Sequence, residues 1–214
     1  MTKFKLWAAL ILVVVLAGGV AYGWWWFEGR WRPKVITRHN AEITALLEKA
    51  GWVSPGAGKA KAYIVCFRSC PDCARYWNDE FPRLQKAGVE TRVVMVARAD
   101  KDGKARSTLE ERSTVAELWF NRSWDLLQRW MTTPAGDWTA QGIPPADGDA
   151  ARNAVVEQSR AFSAKLAELL RANGVGGEEL RYPTVIWWSP KGEMKACACE
   201  DPRTYRFVRK DLGA

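Results

Sequence analysis

An α/β fold behind a single apolar N-terminal helix is what this 214-residue sequence predicts. Three observations predict it. Short apolar runs of strand length alternate with longer runs of helical spacing. Their order is strand, helix, strand, helical block, strand, strand, helix. The first 27 residues also hold a charge-free stretch unlike anything that follows. With 48% apolar and 26% charged residues, the chain suits one globular domain able to bury a core. No internal repeat is visible.

Lys3 and Lys5 precede Leu6–Phe27, whose 22 charge-free residues span about 33 Å as a helix. A hydrocarbon core is roughly 30 Å thick, and Trp24, Trp25, Trp26 and Trp31 end the run where aromatic rings favour the headgroup layer. A cleaved signal peptide with its apolar core at Leu6–Ala17 competes with this reading. Val20–Phe27 continues apolar past the small residues at 17–19, so residues 1–29 are expected to be an uncleaved anchor. Residues 30–58 form a stem. Within it Asn40 can cap a short helix carrying Ile43, Leu46, Leu47 and Ala50 on one stripe, with Gly51 stopping it. Ser54–Lys59 is a Gly/Pro linker that opens the domain at residue 59; it lacks the Gly-Lys-Ser/Thr ending of a phosphate loop.

Ala62–Phe67 (AYIVCF) reads as a buried strand, Cys70–Leu84 as a helix containing Pro82, and Val89–Ala97 as a second strand. Thr108–Met131 has helical spacing, with Val115, Leu118, Trp119, Leu126, Leu127 and Trp130 on one face. Thr132–Ala150 is a loop rich in Pro and Gly. Arg152–Ala172 repeats apolar positions at steps of three and four and is the clearest helix. Thr184–Trp188 and Glu193–Cys199 are strands joined at Pro190–Gly192. Asp201-Pro202 then opens a closing helix with Tyr205, Val208 and Leu212 inward.

Charge and residue counts exclude several function classes. The net charge of +8 is spread thinly: residues 1–58 hold 7 Lys/Arg against 3 Asp/Glu, and residues 59–214 hold 25 against 21. No basic run interleaves with aromatics, which argues against nucleic acid. The one histidine, His39, lies in the stem, so chemistry that needs His at the reacting atoms is nearly closed. No metal site and no cofactor are expected. The five cysteines (Cys66, Cys70, Cys73, Cys197, Cys199) cannot all pair within one chain.

Cys70-Pro71-Asp72-Cys73 follows a strand and starts a helix. A thiol there faces unpaired backbone N–H groups and the positive end of the helix dipole, which favour the thiolate. The CxxC spacing lets Cys73 displace a mixed disulfide formed on Cys70. Pro71 suits the first helical turn. Arg68 and Arg75 would stabilise a thiolate and Asp72 would oppose it. Redox exchange is preferred over a structural disulfide, or a zinc site shared with the unusually spaced Cys197/Cys199. Cys66, on the face of Ile64, reads as an ordinary buried thiol. Cys197 and Cys199 share a strand face about 6.8 Å apart, the long edge of disulfide geometry, and so read as partly buried thiols or as an accessory relay pair. Trp77, one turn past Cys73, should report the redox state by fluorescence.

From Lys59 to Leu212 the sequence resembles the thioredoxin superfamily, in its bacterial periplasmic disulfide-exchange (Dsb) branch. The likeness rests on strand-CxxC-helix at Ala62–Leu84, on Pro82, and on Tyr182-Pro183-Thr184 leading into a strand. It implies a thioredoxin-like fold with a helical insertion, about residues 107–173 and similar to that of the disulfide isomerases. It also implies a cis proline at Pro183 against the cysteines, and substrate contact at Tyr182, Pro183, Pro71 and Asp72. Two departures stand out: Ile64 occupies the place of a buried carboxylate, and Tyr182 is bulkier than the usual residue before the proline. Residues 28–58 are too short for the isomerases' dimerisation domain.

The function expected is a membrane-anchored thiol–disulfide oxidoreductase, with Cys70 and Cys73 catalytic. Its partners would be protein thiols or disulfides and a redox partner protein. A thioredoxin-like binding module of an envelope assembly is the alternative, and a copper(I) chaperone a third reading. Flanking charges alone slightly favour a cytoplasmic domain, but disulfide chemistry favours a single-pass inner-membrane protein with its domain in the periplasm.

Overall fold

The computed structural model describes residues 2–214, apart from the side chains of residues 2–6 and of Ala9. It separates into two units, one ending at Arg32 and the other Pro33–Ala214. The first is built on α1 (Thr2–Phe27) and a 3-10 turn at Gly29–Trp31. Its segment Leu10–Trp31 is 22 residues long and apolar enough to cross a membrane. The Trp31 Nε1–H donates to the Trp26 carbonyl at 3.0 Å, and the Arg30 guanidinium lies 4.3 Å from the centre of the Trp26 ring. Aromatic and cationic groups thus gather at the end of the apolar run, as a headgroup layer favours.

The second unit is a six-stranded sheet covered on both faces. Its strands are β1 (Lys34–Val35), β2 (Trp52–Val53), β3 (Ala60–Cys66), β4 (Val89–Met95), β5 (Thr184–Trp188) and β6 (Met194–Ala198), in the order β1-β6-β5-β3-β4-β2. β3 and β4 pair parallel and every other pair is antiparallel. The two-residue strands β1 and β2 lie at the sheet edges and come from the stem, where two residues carry no readable alternation. Between β4 and β5 lie α5 (Leu109–Asn121), α6 (Trp124–Thr132) and α7 (Ala150–Arg171), which are the helical insertion.

Alternation along β3 divides the interior. Ala62, Ile64 and Cys66 face a core closed by α3 (Pro71–Asp79), α4 (Phe81–Lys86), α8 (Tyr205–Leu212) and the inner sides of α5 and α6. Tyr63 and Val65 face the other core, under α2 (Asn40–Lys49) and α7, with Ile43, Leu47, Phe162 and Leu166. Burying side chains of this size stabilises by about 1.5–3 kcal/mol each, before the entropy of ordering them.

Local chemistry explains where several elements end. The single helix expected over Cys70–Leu84 is two, because Glu80 ends α3 and Pro82 sits in the first turn of α4, where a missing N–H costs little. The run Thr108–Met131 also divides: Arg122 is left-handed at φ 50°, and the Ser123 hydroxyl accepts the Leu126 N–H to start α6. Asp149 caps α7 by accepting from Ala151 and Arg152. In α2 Asn40 is the first helical residue; His39 precedes it in left-handed backbone at φ 62°. Asp201-Pro202 opens a 3-10 turn at Pro202–Thr204, and α8 follows it. Gly51 is required by packing, since a Cβ there would collide with the Trp119 ring and its Cα.

Candidate functional site

The site stands where β3 runs out and α3 begins. Cys70 is the N-cap of α3, and its Sγ accepts the Cys73 backbone N–H at 3.2 Å. Pro71 occupies the first turn, as its spacing predicts. Asp72 in that turn pairs with Arg75 at 2.6 Å. Cys70 and Cys73 are both free thiols. Cys70 opens to a groove of about 480 Å³ whose walls include Phe67, Pro71, Asp72, Tyr182 and Glu200. Cys73 lies one turn deeper and is closed off from the groove at 1% exposure.

The long-range partner arrives from the β5 side. The Tyr182–Pro183 bond is cis, and the Cys70 thiol donates to the Tyr182 carbonyl at 3.7 Å. The Tyr182 ring meets Phe67 edge-on at 5.0 Å and 88°. Burial pushes the Tyr182 hydroxyl up to about 12. The fold therefore brings all six residues read as site residues, Cys70, Cys73, Pro71, Asp72, Tyr182 and Pro183, to one place, although some 110 residues separate the two segments.

Electrostatics differ from the expectation that a helix N-terminus makes. The N–H groups of Cys73 and Asp72 do pull the Cys70 thiol down, but its hydrogen bond with the Cys73 thiol and its burial outweigh them and push it up. Cys73 is pushed up too, chiefly by burial. The two arginines read as thiolate stabilisers are engaged elsewhere. Arg68 is buried and bonds the Thr133 carbonyl. Arg75 bridges Asp72 and the Glu200 carbonyl, tying the first turn of α3 to the segment after β6. Both shifts oppose the thiolate.

The remaining cysteines correct one expectation and bear out another. Cys197 and Cys199 form a disulfide, with Cα atoms 5.2 Å apart. β6 ends at Ala198, and the turn that follows brings Cys199 closer than extended spacing allows. The Cys199 N–H donates to the Pro183 carbonyl at 2.8 Å, so this pair borders the site. Cys66 is a free, buried thiol, as read, and it lines a small cavity together with Cys73. Alternation in AYIVCF placed it on the correct face, but no local signal names its neighbour. Trp77 stacks on Phe81 at 4.5 Å and sits 5.8 Å from Trp124, well placed to report changes in α3. Among the described residues no cluster of three or more His, Cys, Asp or Glu is arranged to hold a metal ion.

A strand-CxxC-helix unit facing a proline that leads into an antiparallel strand, with three helices inserted between, is a thioredoxin-like fold with a helical insertion. The chain is similar to BcfH of Salmonella enterica Typhimurium at TM-score 0.53 and 13% identity, over 96% of this chain and 89% of that one. It is also similar to the thiol-disulfide exchange protein alpha-DsbA2 of Wolbachia pipientis (TM-score 0.43, 16% identity, 81% and 97% covered). A further similar structure is the oxidoreductase NmDsbA1 of N. meningitidis (TM-score 0.27, 20% identity, 75% and 89% covered). No family model and no curated protein matches the sequence.

Proposed function

We propose that this protein is a membrane-anchored thiol–disulfide oxidoreductase acting on protein substrates, with Cys70 as nucleophile and Cys73 as resolving thiol. The observation that carries the reading is the pair itself: two free thiols at the start of α3, one at the mouth of a groove and one sealed behind it. The Cys70 thiolate attacks a substrate disulfide, forming a mixed disulfide and releasing one substrate thiol. Cys73 then attacks the Cys70 sulfur, so that Cys70–Cys73 forms and the second substrate thiol leaves. A redox partner protein returns the pair to its starting state. Tyr182, Pro183, Pro71 and Asp72 line the path of the substrate segment. α1 is the anchor, in the inner membrane, with Pro33–Ala214 in the periplasm, where disulfides persist.

A potential near about −120 mV would mark the pair as an oxidant and one near about −270 mV as a reductant. Full-length protein in detergent, equilibrated with glutathione buffers and read by Trp fluorescence and alkylation mass spectrometry, tests this. A reversible two-electron transition at Cys70 and Cys73 supports the reading, and a pair that resists exchange ends it. Protease protection in spheroplasts tests the topology.

The burial of Cys70 at 5% exposure favours a second reading, a binding module with a non-catalytic cysteine pair. Cys70→Ser separates the two: a binding module keeps its partners and loses no activity.

A further inference from the structure

We propose that Cys66 is a third redox thiol, which takes Cys73 from the Cys70–Cys73 disulfide to form Cys66–Cys73 and releases Cys70 as a free thiol in the groove. The proposal rests on the oxidoreductase reading of the CPDC pair.

Cys66 is the last residue of β3, and it points to the same face as Ala62 and Ile64. α3 crosses that face and brings Cys73 onto it. Cys66 and Cys73 line one small cavity with Ile64, Tyr76, Val93 and Met95. The space inside is about 10 Å³, at the lower limit for a single water. Cys73 faces Cys66 across this cavity on its inner side, while its backbone N–H donates to Cys70 Sγ at 3.2 Å on its outer side. The three cysteines thus follow one another from the groove to the core, with Cys73 in the middle. A buried thiol can serve as a small hydrophobe and no more. What distinguishes Cys66 is that its apolar walls leave it one chemically competent neighbour, the sulfur at which exchange would occur.

The step balances without an outside oxidant. The Cys66 thiolate attacks Cys73 Sγ; the Cys66–Cys73 bond forms and the Cys73–Cys70 bond breaks. The electron pair leaves with Cys70, which takes up the proton that Cys66 gave up. The chain stays oxidised by two electrons, but its disulfide is now buried and its groove thiol is free. In that state Cys70 can attack a substrate disulfide as a lone nucleophile, and Cys73 is not available to resolve the adduct. Such a state suits reshuffling of substrate disulfides over net transfer of electrons.

The sequence makes the test direct. Trypsin cuts after Lys61, Arg68 and Arg75, so Cys70–Cys73 lies within peptide 69–75, whereas Cys66–Cys73 joins peptide 62–68 to it. Reduced full-length protein in detergent is oxidised with glutathione disulfide, quenched with N-ethylmaleimide, digested and mapped by mass spectrometry. The expected result is a joined 62–68/69–75 species carrying N-ethylmaleimide on Cys70, with Cys66→Ala, which has no thiol in peptide 62–68, as the blank. Cys70→Ser, a change at the groove wall, should oxidise to Cys66–Cys73 alone, and keeps the test open if Cys66→Ala fails to fold. If wild type forms only Cys70–Cys73 and Cys70→Ser forms no internal bond with Cys66, the proposal fails while the oxidoreductase reading stands. If no pair among the three oxidises, both fail.

Discussion

Raising the pH from 7 to 8 should speed alkylation of reduced Cys70 about tenfold, because the thiolate is the reactive species and the thiol is pushed up. An unperturbed thiol near 8.5 is about 3% ionised at pH 7, and each unit of upward shift lowers that fraction about tenfold. Cys70 should therefore react more slowly at pH 7 than a small-molecule thiol, with a log rate that climbs about one unit per pH unit and shows no plateau below about pH 9. Had the helix N-terminus prevailed, giving a thiol near 6, the same step would change the rate by only about 1.1-fold. The assay is timed N-ethylmaleimide labelling of the reduced full-length protein in detergent, read at peptide 69–75 so that Cys66 and the Cys197/Cys199 pair do not contribute. A profile already flat between pH 6.5 and 8 would refute the balance of burial and thiol hydrogen bonding over backbone donors.

Reduced and oxidised protein should differ in how their stability depends on pH. A buried thiol pushed up keeps its proton in the folded state after the unfolded chain has released it near pH 8.5. Its contribution is whole below that pH and is lost as the pH rises. Cys73 alone then gives the reduced form a slope of about −1.4 kcal/mol per pH unit above about pH 8.5, which thermal melts from pH 8 to 10 would detect against the Cys70–Cys73 disulfide form. Replacing Cys197 and Cys199 by Ala should cost only about 1.6 kcal/mol in denaturant titration, since so short a loop restrains the unfolded chain little; a loss above about 4 kcal/mol would contradict this. Glu80→Gln should destabilise by about 1–3 kcal/mol, because Glu80 is 3% exposed and its carboxylate holds Arg209 of α8 against the end of α3. Gly51→Ala should cost about 1–3 kcal/mol through the Trp119 collision, and unchanged melting would show that Trp119 moves freely aside.

The thioredoxin-like fold was legible because its central units are local. Strand β5 appears at Thr184–Trp188 as read, and β3, β4 and α7 lie within a few residues of their expected bounds. Each carries its own periodicity, and each is bounded by cap or turn chemistry that a short window contains. The edge strands β1 and β2 escaped notice because two residues hold no pattern, and their pairing is supplied by β6 and β4. The breaks at Glu80 and Arg122 were missed for a related reason: an apolar stripe can continue across a change of axis, while the backbone does not.

The sequence by itself determined the apolar span, the α/β order, the CPDC motif at a helix start and the proline before β5. All of these follow from spacing along the chain, which fixes the faces of helices and strands before any tertiary contact forms. Only the tertiary structure decided how the five sulfurs are grouped. Cys66 behind Cys73, Cys199 against Pro183, and Arg75 turned from the thiol toward Asp72 and Glu200 all depend on where α3 crosses the sheet and where β6 ends. The upward push on the Cys70 thiol belongs there too. A helix N-terminus is visible in sequence, but the burial and the thiol contact that oppose it come from packing between segments far apart in the chain.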